Sequence, residues 1–237
     1  MSYFYINLET VMFRIFSKNS LITLSLVSLL SACGGSNSDT AQLRVLHASP
    51  DAPAVDVLID GGPVLEGLSF GNASPFTGVD AGHRQIQVNV SGTDTTVIDT
   101  RADLEEDRRY LIVASGLVTD LQPLVFPVSD ENPVAGSTLV RVLHAAPSAP
   151  RVDVYVVASG QSITQAQPVL SDVPFRAISN YLPVPVGTYD LFVTPTGRKT
   201  IAIEAKNVAL NEGLIATVAA LDASGGGAPF TLSILSE

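Results

Sequence analysis

The chain has 237 residues, 46% of them hydrophobic and 15% charged, a globular composition long enough for one or two domains. Its formal net charge of −10 repels a phosphate backbone and speaks against nucleic-acid binding. One cysteine and no tryptophan rule out an intrachain disulfide and furnish a sugar-stacking platform poorly.

In chain order, Arg14 and Lys18 precede an apolar run over residues 21–30. A short cationic stretch followed by such a run is the layout of a secretory signal. The run is well short of the roughly 20 residues a membrane-spanning helix needs. It ends in Leu30-Ser31-Ala32-Cys33, which resembles the lipobox of bacterial lipoproteins. The resemblance implies that residues 1–32 are a cleaved signal peptide and that lipidated Cys33 becomes the membrane anchor. Gly34 rather than Asp after the cysteine implies the outer membrane, at its periplasmic face or the cell surface. Tyr3, Phe4, Tyr5 and Glu9 do not suit a signal start, so Met12 is an alternative initiation site. Residues 33–41, rich in Gly, Ser and Asn, are predicted to be a flexible tether.

The string Arg44-Val-Leu-His47-Ala-Ser-Pro50-Asp-Ala-Pro53-Ala-Val-Asp56-Val57 returns, nearly unchanged, 97 residues later as Arg141-Val-Leu-His144-Ala-Ala-Pro147-Ser-Ala-Pro150-Arg-Val-Asp153-Val154. An ungapped match over fourteen positions indicates internal duplication. The predicted organisation is a first β-sandwich over residues 42–129, a polar linker over 130–137 and a second sandwich over 138–237. The fold class is all-β: two tandem immunoglobulin-like antiparallel β-sandwich domains after a lipoprotein signal peptide.

Residues 43–47 and 55–59 are β-branched runs around a loop whose two prolines forbid helix. They are predicted to form an antiparallel hairpin pairing Val45 with Val55 inward and Arg44 with Asp56 outward. The second copy would repeat this with Val142–Val152 and Arg141–Asp153. An exposed ion pair contributes only ~0.2–1 kcal/mol, so its role would be to fix register. Further strands are predicted at 63–70, 76–79, 83–90, 95–100, 110–115 and 121–128. The segment before Tyr110 resembles the tyrosine corner of immunoglobulin-like sandwiches, with Leu214 near the equivalent place in the second copy. There the strands are expected at 140–145, 152–157, 169–174, 177–182, 189–193, 200–204, 214–221 and 230–235. The offset between copies grows from 97 to 105 by Gly82 and Gly187, which places the extra residues in the loop 158–167. Loops on a rigid sandwich are where binding usually resides.

Residues 43–237 resemble domain-of-unknown-function family 4397, on the string R-V-L-H-A-S-P-D-A-P-x-V-D-V read twice. The second copy departs from it at Ala146 and Ser148. The resemblance implies a β-sandwich in an extracytoplasmic setting and supplies no reaction.

His47, Ser49 and Asp51 or Asp56 are the residue types of a hydrolytic triad. The second copy keeps His144 and Asp153 but lacks the serine and the nearer acid, and no G-x-S-x-G elbow occurs. By parity His47 shares a face with Leu43 and Val45 at a strand end, where an imidazole can bond carbonyls of the proline-containing loop. Asp51, Asp56 and Asp60 could suit calcium, yet Ser148 and Val157 replace two of them in the second copy. The mixed cluster from Asp99 to Arg109 is expected in a solvated connection. Arg44, His47, Pro50, Pro53 and Asp56, with Arg141, His144, Pro147, Pro150 and Asp153, are therefore predicted to serve the fold. No catalytic residue, metal or cofactor is assigned. The expected function is a lipid-anchored, non-enzymatic binding, adhesion or assembly protein whose partner is an envelope protein or glycan. The alternative is an envelope hydrolase or polysaccharide-binding module acting on cell-surface glycan.

Overall fold

The computed structural model describes residues 39–237, so the signal segment and Cys33 lie outside the described residues. In the first copy, β1 (Thr40–Ala48), β4 (Thr77–Asp80), β7 (Arg109–Ser115) and β8 (Gln122–Pro127) make one sheet, ordered β4-β1-β7-β8. Its companion, ordered β3-β2-β5-β6, holds β2 (Val55–Ile59), β3 (Gly62–Leu68), β5 (Gly82–Val90) and β6 (Thr96–Leu104). The second copy repeats the plan. Its first sheet joins β9 (Ser137–His144), β12 (Leu182–Pro185), β15 (Ile215–Leu221) and β16 (Thr231–Ser236) in the order β12-β9-β15-β16. Its other sheet joins β10 (Val152–Ala158), β11 (Leu170–Val173), β13 (Gly187–Pro195) and β14 (Ile203–Leu210) in the order β11-β10-β13-β14. Pairing is antiparallel throughout except β1 with β7 and β9 with β15, which run parallel. Among the described residues no helix is long and apolar enough to cross a membrane.

The sheets containing β1 and β9 are apolar on both faces. Leu43, Val45 and Ile112 look into the first sandwich and meet Val57, Ile86 and Val88 of its other sheet. Leu46, Leu111 and Val113 look the opposite way, where Leu143, Ala219 and Leu221 of the second copy meet them. The near-continuous apolar runs Tyr-Leu-Ile-Val-Ala in β7 and Ile-Ala-Thr-Val-Ala-Ala-Leu in β15 reflect this two-sided burial.

The predicted hairpin between the first two strands does not form. β1 and β2 belong to different sheets, and residues 49–54 carry the chain across the sandwich. Val45 stands opposite Ile112 and Val55 opposite Val90; in the second copy Val142 stands opposite Val218 and Val152 opposite Pro195. The Arg44–Asp56 and Arg141–Asp153 pairs are accordingly absent from the sheet registers. A strand apolar on both faces takes a central position with neighbours on each side, and β1 finds them in β4 and β7. The strand expected at 177–182 begins only at Leu182 and includes Pro183 and Pro185. β12 pairs on one side only, so missing proline N–H groups cost it no ladder bond. Likewise β14 starts at Ile203, and β6 continues through Asp99, Arg101 and Asp103 to Leu104, taking in part of the cluster expected in a loop.

The two arginines tie the copies together reciprocally. The Arg44 guanidinium stacks 4.9 Å from the Phe76 ring and donates to the Ser74 carbonyl at 2.8 Å and to the Ser236 carbonyl of the second copy. Arg141 stacks 4.6 Å from Tyr181 and donates to the Pro127 carbonyl of the first copy at 2.8 Å. Pro127 and Ser236 hold the same register position, opposite Tyr110 and Ala216 respectively. The contact is thus a pseudo-two-fold interface within one chain. Only the second copy adds charge. Arg141 also meets Thr217 Oγ1 at 2.7 Å and Glu237 Oε1 at 2.8 Å, and the Glu237 side chain is 0% exposed. Arg141→Ala leaves that carboxylate buried and unpaired, a cost of about 3–5 kcal/mol. Arg44→Ala loses a stack and neutral carbonyl bonds, about 1–2 kcal/mol. Urea unfolding of the two variants should therefore separate clearly; equal midpoint shifts would show that the Glu237 pair adds nothing.

Candidate functional site

The repeated string closes on its own backbone. His47 is fully buried; its Nε2–H donates to the Pro53 carbonyl at 2.9 Å and its Nδ1 accepts the Ser49 N–H at 3.3 Å. His144 does the same with Pro150 at 3.0 Å and Ala146 at 3.4 Å. Each ring sits edge-on to a phenylalanine, Phe70 or Phe175. Burial lowers the pKa of both imidazoles below the ordinary value of 6.5, against the opposing pull of the proline carbonyls. Pro50 presents its carbonyl to Gly225 N–H of the second copy at 2.7 Å, while Pro147 opens the matching turn.

The aspartates brace turns. Asp56 accepts the N–H groups of Gly67 at 2.7 Å and Gly92 at 3.0 Å, which hold its pKa below the usual carboxylate value. Asp153 accepts the matching N–H groups of Asp172 at 2.9 Å and Gly197 at 2.8 Å. All four donors have left-handed backbones, with φ between 59° and 73°. A single carboxylate thus braces one β-bulge, at Gly67 or Asp172, and one tight turn, at Gly92 or Gly197, against one strand.

This geometry leaves the serine unactivated. Both His47 nitrogens are engaged by backbone, and Ser49 Oγ lies 3.4 Å from Asp51 rather than on the imidazole. Asp51 accepts Val118 N–H at 2.9 Å, and Asp60 accepts Gln85 N–H at 2.9 Å and Arg84 Nη1 at 3.1 Å. Asp51, Asp56 and Asp60 thus each serve different local contacts. Among the described residues no three His, Cys, Asp or Glu side chains gather as metal ligands.

The copies part between β10 and β11. In the first copy Asp60 and Gly61, with φ of 50° and 80°, make a two-residue hairpin turn between Ile59 and Gly62. In the second copy residues 159–169 intervene and fold over the outer face of the sheet. Ile163 covers Tyr155 and Phe192 there. Lys199 clasps the insertion: its ammonium lies 4.2 Å from the Tyr155 ring and donates to the carbonyls of Ile163 at 2.9 Å and Ala166 at 2.6 Å. Asp190, 2% exposed, anchors the near end by accepting the N–H groups of Asn207 and Gly160, both at 2.9 Å, and Ser159 Oγ at 3.2 Å. The Asn207 and Gly160 N–H groups hold the Asp190 pKa low. Beside the insertion lies an open groove of about 460 Å³ with Ile163, Phe192 and Ile201 in its lining. Gln161, Ser162, Thr164 and the Lys206–Glu204 ion pair, 2.9 Å long, add donors and acceptors around it.

The sequence profile described as Domain of unknown function (DUF4397) matches residues 41–155 and 157–236. The chain belongs to the DUF4397 family. No curated protein sequence matches this DUF4397 chain. Among solved structures it is similar to an alpha-glucan-binding streptococcal virulence factor at 12% identity and a TM-score of 0.24, over 75% of this chain and 93% of that one. It is also similar to the CBM26 module of Eubacterium rectale Amy13K, solved with maltoheptaose, at 8% identity and a TM-score of 0.26, over 84% and 97% of the two chains. A putative adhesin from Bacteroides ovatus gives 8% identity and a TM-score of 0.25, over 84% and 95%. At such scores no ligand transfers from these proteins to this one.

Sequence reasoning found the DUF4397 insertion but missed its anchors, Asp190, Lys199 and Asn207. One signal was available: Asp190 stands between Tyr189 and the apolar run Leu191-Phe-Val193 of β13 where the first copy has Gln85, the mark of a buried acid with partners.

The DUF4397 histidines make stability depend on pH. With native pKa values below 6.5, the unfolded chain binds protons first as pH falls. Stability is therefore full above about pH 7 and falls below about 6.5, by up to about 1.4 kcal/mol per pH unit per histidine. Urea titrations at stepped pH should show this slope, and it should shrink in a His47→Gln/His144→Gln variant. A profile that stays flat in the wild type would contradict neutral native imidazoles.

Proposed function

We propose that the mature chain is a lipid-anchored binding protein of the cell envelope, held by Cys33 at the outer membrane. Its recognition site is the open groove that the insertion lines in the second copy. The observation that carries this reading is the contrast between the copies: the repeated Arg, His and Asp side chains are spent on internal contacts, whereas the clasped insertion appears once and borders an open groove. Anchoring at both ends prepays the ordering of the loop, which favours affinity. Donors and acceptors around Ile201, 46% exposed, suit a sugar ring, with hydroxyls at its edge and C–H groups on its face. The ligand class is thus a short segment of cell-surface glycan. The lipobox-like segment and the glycine- and serine-rich residues after it support the anchored setting. The occupied His47 nitrogens favour binding over hydrolysis at the repeated string.

Replacing residues 157–166 by Asp-Gly recreates the short turn of the first copy and removes the groove. Retention of the protein on insoluble envelope glycans should drop to background while its far-ultraviolet circular dichroism persists. Undiminished retention would move recognition elsewhere. Radiolabelled palmitate should be incorporated by the wild type and not by Cys33→Ser; label surviving that substitution would end the anchoring proposal.

A further inference from the structure

The second sandwich also holds a cavity of about 460 Å³, between its two sheets and on the opposite face of β10 from the insertion. Val140, Val142, Val156, Leu182 and Val184 line it, and Val169, 46% exposed, stands at its mouth. The only polar side-chain atom in the lining is the Tyr189 hydroxyl, which already donates to the Pro185 carbonyl at 3.0 Å. No side chain in the lining remains to donate to a polar ligand.

The insertion explains why the space exists. In the first copy the β2–β3 ladder runs to its turn, through Leu58↔Pro63 and Ile59↔Gly62, and Val64 and Leu65 pack on the core. In the second copy the β10–β11 ladder stops at Val154↔Leu170. Val156 thereby loses its β11 neighbour, and Val169, the counterpart of Val64, turns outward. Two further positions shrink: Val140 stands where the first copy has Leu43, and Val156 where it has Ile59.

We propose that this cavity binds one saturated acyl chain. Its lining comes from both sheets, and packed sheets lie about 10 Å apart, a spacing that admits an extended hydrocarbon between them. Its volume lies in the range of single-ligand pockets, and an apolar lining without free hydrogen-bonding side chains discriminates against polar ligands. The chain has two sources, the acyl group on Cys33 or a membrane lipid. The binding site is the same for both, and it is independent of glycan recognition on the other face.

The test uses palmitate and native mass spectrometry on the full chain and on Cys33→Ser, each purified from a bacterial envelope. Cys33→Ser is expected to take up one palmitate. A wild type that refuses it identifies the chain's own acyl group as occupant, and a wild type that accepts it identifies an external lipid. Val156→Phe and Val184→Phe fill the slot and should weaken uptake roughly tenfold or more. No uptake by Cys33→Ser, or uptake unchanged in a folded filling variant, overturns the proposal. If neither variant folds, methyl spectra of Cys33→Ser decide. Palmitate should shift Val142, Val156, Leu182 and Val184 while leaving Val45 and Ile86 in place, and unmoved slot methyls overturn the proposal.

Discussion

Two-sided burial of one sheet in each copy is the constraint on which the rest of the structure depends. A sandwich needs only one apolar face per sheet, but Leu46, Leu111 and Val113 on one side and Leu143, Ala219 and Leu221 on the other add a second. Left uncovered, such a patch invites association. Each copy covers the other, as subunits of a symmetric dimer do, and the duplicated chain makes that dimer intramolecular. The recurring arginines follow from this arrangement. Each reaches past its own aromatic ring, Phe76 or Tyr181, to a carbonyl at the end of the partner's last strand.

Against that symmetry, one insertion accounts for most of what distinguishes the second copy. On the outer face of the sheet it builds one wall of an open groove and is held by Lys199 and Asp190. On the inner face it shortens the ladder to β11 and leaves an apolar slot. The first copy shows the state without it, a two-residue turn and a packed flank. The same residues therefore set the chemistry on both sides of a single sheet.

Most strands were legible because alternation and turn residues are local signals. Their connections were not, because the pairing that places β1 is with β7, whose residues lie some 67 positions away, as Val45 does from Ile112. Val45 and Val55 on either side of a proline loop look alike whether the chain reverses or crosses to another sheet. Leu46 and Leu111 carried the missing information, since apolar residues on both faces of a strand mark a central position. Pro183 and Pro185 hid an edge strand, because proline speaks against a strand unless one side is already known to be unpaired. The tyrosine corner was visible: Tyr110 accepts the Glu105 N–H at 2.9 Å, and the register shows Ala216, not Leu214, in its place in the second copy. At the candidate site the insertion showed as a change of offset, but its clasp involves Lys199, some 36 residues from Ile163. Such a partner is set by folding, not by spacing.

The parallel pairing of β1 and β7 has a mechanical consequence. A pull through residue 39 draws β1 along its own axis, past a neighbour registered from Gln42↔Arg109 to Ala48↔Ser115. The ladder is then loaded in shear, with its bonds sharing the force, instead of being unzipped one bond at a time. A chain tethered ahead of β1 and gripping a ligand through its second copy would hold against drag with its strongest geometry.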